Sequence, residues 1–321
     1  MGERPGIERL LELFTEGKVA AAARLITILE DGGEDAERVL DSVFHKTGTA
    51  YRIGFTGPPG AGKSSLLNRI ATKFREKDHR IGIIAIDPTS PFTGGALLGD
   101  RIRMQAHSED PEVFVRSLAS RGALGGISNC TDEVVDLMDA FGKDLVLIET
   151  VGVGQSELEI SEKAHTVVVV LVPESGDGIQ AMKAGLMEIG DIFVMNKADH
   201  DDAESAAREI QDTLRLKKIP EGEWEPKVVL TSAREETGIG ELMETIEEHR
   251  RYLDSGGHFA RIRKKILSSR VRNALMDKME RRLRASGRVR ELLEQRMESV
   301  YKGEISPYRL VRELEELVSI Q

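Results

Sequence analysis

Cysteine is nearly absent: Cys130 is the only one in 321 residues. A lone cysteine forms no internal disulfide, so a disulfide scaffold is excluded and a reducing compartment is expected. Aromatic residues are scarce at 4%, so the core implied by a 40% apolar content must be built of Val, Ile, Leu, Ala and Met. No apolar run approaches membrane-spanning length, and no basic-then-apolar leader opens the chain, which predicts a cytoplasmic protein with no membrane partner. The histidines at 45, 79, 107, 165, 200, 249 and 258 form no local pair with ligand spacing. With one cysteine beside them, no zinc site is expected.

The net charge is −10, unevenly spread. Residues 257–321 carry 16 Lys and Arg against 9 Asp and Glu, or +7, while the remainder carries 29 against 46, or −17. A basic tail can mark a nucleic-acid binder. Here the charges fall at helical spacing beside apolar residues, without the interleaved aromatics that single strands stack on. A solvated helix face is expected, and no nucleic-acid partner.

What is present is an alternation of strands and helices around Gly57-Pro58-Pro59-Gly60-Ala61-Gly62-Lys63-Ser64. This is G-x-x-x-x-G-K-S, preceded by the apolar run 51–56 and followed by a helix start at Ser65. Glycines let backbone N–H groups approach phosphate oxygens, and the helix start adds a positive dipole end. Lys63 suits the β- and γ-phosphates, and the Ser64 hydroxyl suits Mg²⁺. Strands are predicted at 51–56, 81–86, 112–117, 145–149, 166–172, 191–196 and 227–231. Near-continuous apolar runs such as 166–172 suit a mostly parallel sheet covered on both faces. The fold class is therefore α/β, a P-loop nucleoside triphosphatase. In such sheets, ligands bind at the carboxyl ends of the strands.

The remaining motifs stand at those ends. Asp87 closes the second strand and opens a long loop that reaches Asp100. Both carboxylates suit a Mg²⁺ site; for Asp100 a helix cap before Arg101 is an equal alternative. Glu149-Thr150-Val151-Gly152 occupies the place where many nucleotide switches have Asp-x-x-Gly. The carboxylate suits a metal contact through water, and the Gly152 amide suits the γ-phosphate. Val153 follows where Ras-like switches have the Gln that orients the attacking water. Gln155 and Glu157 are nearby substitutes whose places spacing alone does not give. Slow, partner-dependent hydrolysis is expected. Asn196-Lys197-Ala198-Asp199 is N-K-x-D, whose last carboxylate accepts from guanine N1–H and the N2 amine. Adenine lacks both donors, and such a mismatch discriminates by roughly 10⁴-fold. Ser232 and Ala233, after the last strand, fit a supporting contact to guanine O6.

Helical periodicity covers 5–47, punctuated by Gly17 and Gly32-Gly33, and returns from Gly257 to the end with a break near Ser286-Gly287. Three segments follow: a helical extension over 1–50, a nucleotide-binding domain over 51–256, and a helical arm over 257–321. The arm's apolar stripe must be buried somewhere, and a second copy of the chain is the preferred answer.

Together these motifs resemble the MeaB/ArgK family of G3E GTPases, to which the methylmalonic aciduria type A protein belongs. The likeness rests on 57–65, on 87–104 with Thr93-Gly94-Gly95 and Leu98-Gly99-Asp100, on 149–157 with its leading Glu, and on 196–199. It implies a G3E/SIMIBI-like GTPase that binds GTP or GDP with Mg²⁺. It further implies a chaperone that gates adenosylcobalamin loading and protects an adenosylcobalamin-dependent acyl-CoA mutase, and a homodimer formed through the C-terminal helices. The loop 173–183, an ordinary strand-to-helix connection by its residues alone, matches the family's third switch and is expected to meet the mutase. Many relatives read P-G-A-G-D there, whereas this chain has Pro173-Glu174-Ser175-Gly176-Asp177. The alternative is a metallocenter-insertion GTPase of the same class, which needs Cys or His clusters that the chain lacks.

Overall fold

The computed structural model describes residues 6–87, 110–119, 130–152, 156–173 and 185–319. Seven strands form one sheet: β1 (Tyr51–Thr56), β2 (Ile81–Asp87), β3 (Val113–Ala119), β4 (Leu145–Glu149), β5 (Thr166–Leu171), β6 (Ile192–Met195) and β7 (Lys227–Leu230). Each lies within two residues of its predicted bounds. Their spatial order is β3-β2-β4-β1-β5-β6-β7, and every pairing is parallel.

Ten helices of eight or more residues stand among the described residues. They are α1 (Ile7–Thr15), α2 (Val19–Asp31), α3 (Glu34–Val43), α4 (Lys63–Arg75), α5 (Thr131–Ala140), α6 (Ala203–Arg215), α7 (Ile239–Asp254), α8 (His258–Ala285), α9 (Gly287–Tyr301) and α10 (Pro307–Ser319). Side chains alternate across a pleated strand, so each central strand feeds two cores. On β5, Val167, Val169 and Leu171 join the layer of α1–α3, α5 and α6, while Val168 and Val170 join that of α4 and α7. Both faces are covered, which is why the strands read as unbroken apolar runs.

Two compact units result, Met1–Arg263 and Lys264–Gln321. In the first, the N-terminal helices bury Leu10, Phe14, Leu25 and Val39 in the same core as the sheet. Their connection to β1 is tied down by Asp139 of α5, which accepts from Gly48 N at 2.6 Å, Thr49 Oγ1 at 2.8 Å and Ala50 N at 3.1 Å. In the second unit, Ser286 caps α9 by accepting from Val289 N, and Arg296 bridges to Glu313 of α10 at 3.0 Å. Val271, Leu275, Met276 and Met279 of α8 are exposed.

Candidate functional site

β1 stands between β4 and β5; the chain runs from β1 toward β2 on one side and from β4 toward β5 on the other, which opens a crevice at the strands' carboxyl ends. Gly57–Ser64 crosses that crevice and runs into α4, whose first residue is Lys63. Gly57 is required twice over: its φ is +133°, and a Cβ there would lie 2.0 Å from the Val170 carbonyl oxygen of β5. Gly62 (φ +86°) turns the chain into the helix, with Ala61 buried beside it. Pro59, Gly60 and Ser65 are exposed.

Lys63 is 6% exposed, and its Nζ donates to Gly57 O at 2.7 Å and Pro58 O at 3.0 Å. The ammonium thus lies along the loop that is to hold the phosphates. Ser64 Oγ donates to Glu149 Oε1 at 2.6 Å, and both residues are buried. A hydroxyl and a carboxylate so placed are hard oxygen donors of the kind a small divalent cation takes. β2 ends at Asp87, in register with Ala119 of β3. Asp100 lies outside the described residues, as do Val153–Gln155 and, apart from Pro173, the loop 173–183.

The third motif reaches the same loop. Thr150 N donates to Phe55 O, and its hydroxyl donates to Thr56 Oγ1 at 3.0 Å, which ties the end of β4 to β1. Gly152 has φ +87°, and a Cβ there would come within 2.3 Å of Gly57 O and 2.4 Å of Lys63 Nζ. Only glycine permits the backbone of this segment to lie so close to the phosphate loop.

The guanine motif is joined to that loop by a side chain. Asn196 Nδ2 donates to Ala61 O at 2.7 Å, while its Oδ1 accepts from Thr231 Oγ1 at 3.1 Å and Ala233 N at 3.2 Å. Asn196 therefore braces the turn Asn196–Asp199 against the phosphate loop and the segment after β7. Lys197 adopts a left-handed φ of +59°, and Ala198 N donates to Thr231 O, which fixes the turn. Asp199 Oδ1 accepts from Ser232 Oγ at 2.8 Å. That hydrogen bond, helped by a backbone N–H and by His200 and Arg234, holds the Asp199 carboxyl below its usual range. An ionised Asp199 offers acceptor oxygens and no donor.

Three parts of the arrangement were not placed by the sequence reading, although it named Glu157 as a candidate. The Thr56–Thr150 bond joins strands far apart in the chain. Arg69 of α4 pairs with Glu236 at 2.7 Å and so ties the phosphate-binding helix to the loop after β7. The Glu157 carboxyl stands close enough to Lys63 to feel its charge. None has a local pattern, since each depends on which strands are neighbours.

A family model described as methylmalonyl-CoA mutase-associated GTPase MeaB matches residues 22–288. A protein of Pyrococcus abyssi, provisionally described as a GTPase, is 45% identical over 94% of both chains. The mitochondrial methylmalonic aciduria type A homolog of Mus musculus is 32% identical, covering 96% of this chain and 78% of its own. A crystal structure described as a LAO/AO transport system kinase superposes with a TM-score of 0.75 at 25% identity, over 99% of both chains.

Proposed function

The chain belongs to the MeaB family of mutase-associated GTPases, and from that premise we propose that its GTP hydrolysis serves an adenosylcobalamin-dependent acyl-CoA mutase, gating cofactor loading and protecting the enzyme. The observation that carries this reading is the convergence of separate strand ends on one loop. Ser64 meets Glu149, Gly152 overlies Gly57, and Asn196 holds Ala61. A change at the nucleotide's phosphates is thereby felt in each of those segments, as a switch requires.

In this reading Gly57–Ser65 cradles the phosphates, and Lys63 trades the Gly57 and Pro58 carbonyls for phosphate oxygens. Asp199 accepts from guanine, with Ser232 and Ala233 beside it. Ser64 and Glu149, with Asp87 and Asp100, would hold Mg²⁺, which would supply charge neutralisation at the phosphates. The Gly152 amide faces the γ-phosphate and reports its presence. Residues 173–183 contact the mutase, and residues 257–321 form a homodimer arm outside the 51–256 domain and its 1–50 extension.

The dimer assignment is supported by the stripe Val271, Leu275 and Met279, exposed at successive turns of α8. The test of the chaperone reading is GTP turnover of the full chain with and without methylmalonyl-, isobutyryl-, ethylmalonyl- and 2-hydroxyisobutyryl-CoA mutases. One of them is expected to raise turnover by more than about tenfold, well short of the roughly 10³–10⁵ that a partner-supplied arginine gives. No stimulation and no complex with any of the four would overturn the chaperone role and leave the GTPase intact.

A further inference from the structure

We propose that Glu157 positions the water that attacks the γ-phosphate, filling the role left open where Val153 replaces a glutamine. The inference rests on the GTPase reading above and adds a residue to it. Glu157 lies in the single helical turn Ser156–Glu159, the first described element after Gly152. That turn is seated firmly. Ile160, which follows it, is fully buried against β1, where a Cβ on Gly54 would lie 2.3 Å from Ile160 Cγ1. Leu158 packs against Gly185, where a Cβ would lie 2.9 Å from Leu158 Cδ2.

Glu157 Oε1 is buried and has no hydrogen-bond partner. Burial pushes the Glu157 carboxyl up from its ordinary range, and the Lys63 ammonium opposes that push. A buried carboxylate oxygen without a donor is costly, and folded proteins keep such groups chiefly where a ligand or water completes them. The group that Lys63 is built to hold is a phosphate, itself an anion. A carboxylate and a γ-phosphate repel at contact, so what fits between them is either a cation or a hydrogen-bond donor; with the cation assigned to Ser64 and Glu149, the group at Glu157 must donate to the carboxylate and present a lone pair to phosphorus. Water does both.

The reaction then balances without another reactant. The water oxygen bonds to the γ-phosphorus as the bond from that phosphorus to the β–γ bridging oxygen breaks. The bridging oxygen keeps the electron pair and leaves on GDP, and the water's proton passes to the oxygens of the product phosphate. Glu157 accepts a hydrogen bond from the water throughout and orients its lone pair. In a loose transition state proton transfer comes late, so an acceptor rather than a strong base is required.

The experiment is single-turnover hydrolysis of GTP by the full chain in excess, with GDP and a non-hydrolysable GTP analogue titrated alongside. Glu157→Ala and Glu157→Leu should slow hydrolysis by at least about 10²-fold, the low end of what a positioned proton acceptor contributes. Affinity for both nucleotides should stay within about threefold, and thermal melts should show no loss of folding, since the buried Oε1 has no partner to lose. Glu157→Gln keeps an acceptor oxygen and should recover the rate to within about tenfold of the native chain. Unchanged hydrolysis in the Ala variant would overturn the proposal. So would parallel loss of affinity and rate, or a Gln variant as slow as the Ala one. Lys63→Ala is the control for the underlying reading: unchanged GTP binding and turnover in that variant, or neither in the native chain, would sink the GTPase reading independently of Glu157.

Discussion

At the residue scale, the proposed function puts base selectivity on one carboxylate. Asp199 is kept ionised by the Ser232 hydroxyl and offers two acceptor oxygens. Asp199→Asn replaces one acceptor with a donor that faces the guanine N–H groups. The preference for GTP over ATP, read by competition against a fluorescent guanine nucleotide, should fall by more than about tenfold. Unchanged selectivity would place base recognition elsewhere. A second pair of residues governs pH response at the amino end of the sheet. His249 Nδ1 meets Thr166 Oγ1 at 2.7 Å, and its Nε2 lies 3.7 Å from Asp191 Oδ1. Burial pushes His249 down to about 4 and Asp191 up to about 7. The two act in opposite directions. The contribution of His249 is present above its unfolded value of 6.5 and is lost as pH falls toward about 4. That of Asp191 is present below 3.8 and is lost as pH rises through about 7. Between pH 7 and 5 the two slopes oppose each other in the native chain. Asp191→Asn exposes the His249 penalty, so urea denaturation should show this variant losing about 2 kcal/mol relative to the native chain over that range. His249→Gln should show the opposite slope.

At the element scale, the helices are held to the sheet by a few buried polar anchors as well as by apolar faces. Arg52 of β1 pairs with Asp136 of α5 at 2.7 Å, and Lys163 reaches Asp132 of the same helix at 2.6 Å. Asp139, one turn further on, gathers the backbone of 48–50. Asp139→Ala strands those donors at a part-buried junction, and the cost should be about 2–3 kcal/mol. A lower thermal midpoint with unchanged GDP affinity is the expected result; an unchanged midpoint would show that apolar contacts alone hold the N-terminal helices. These anchors explain what periodicity conveyed and what it did not. The apolar spacing of α1–α3 was legible because each helix buries one stripe. That Asp139 serves the chain 90 residues before it was not legible, because an Asp in a helix reads as solvated until its neighbours are known.

At the scale of the whole molecule, the exposed stripe on α8 is the feature that a monomer leaves unexplained. Leu275→Glu with Met279→Glu places two charges on it. Light scattering should report monomers for this variant and dimers for the native chain, with GDP affinity unchanged; dimers in both would move the interface off α8. The phosphate loop, the switch motif and the guanine motif were readable from residue order alone, because each is a local device that needs only a strand before it. The seven strands were readable because parallel strands buried on both faces must be apolar throughout. Strand order was not, since β1 between β4 and β5 is settled by long-range pairing that leaves no local mark. From that order came the contacts that make one site of separate motifs: Asn196 on Ala61, Glu149 on Ser64, and Gly152 over Gly57. Residue order determined which chemical groups the chain owns; only packing in three dimensions decided which of them share a few ångströms, because distance along the chain does not measure distance across a sheet.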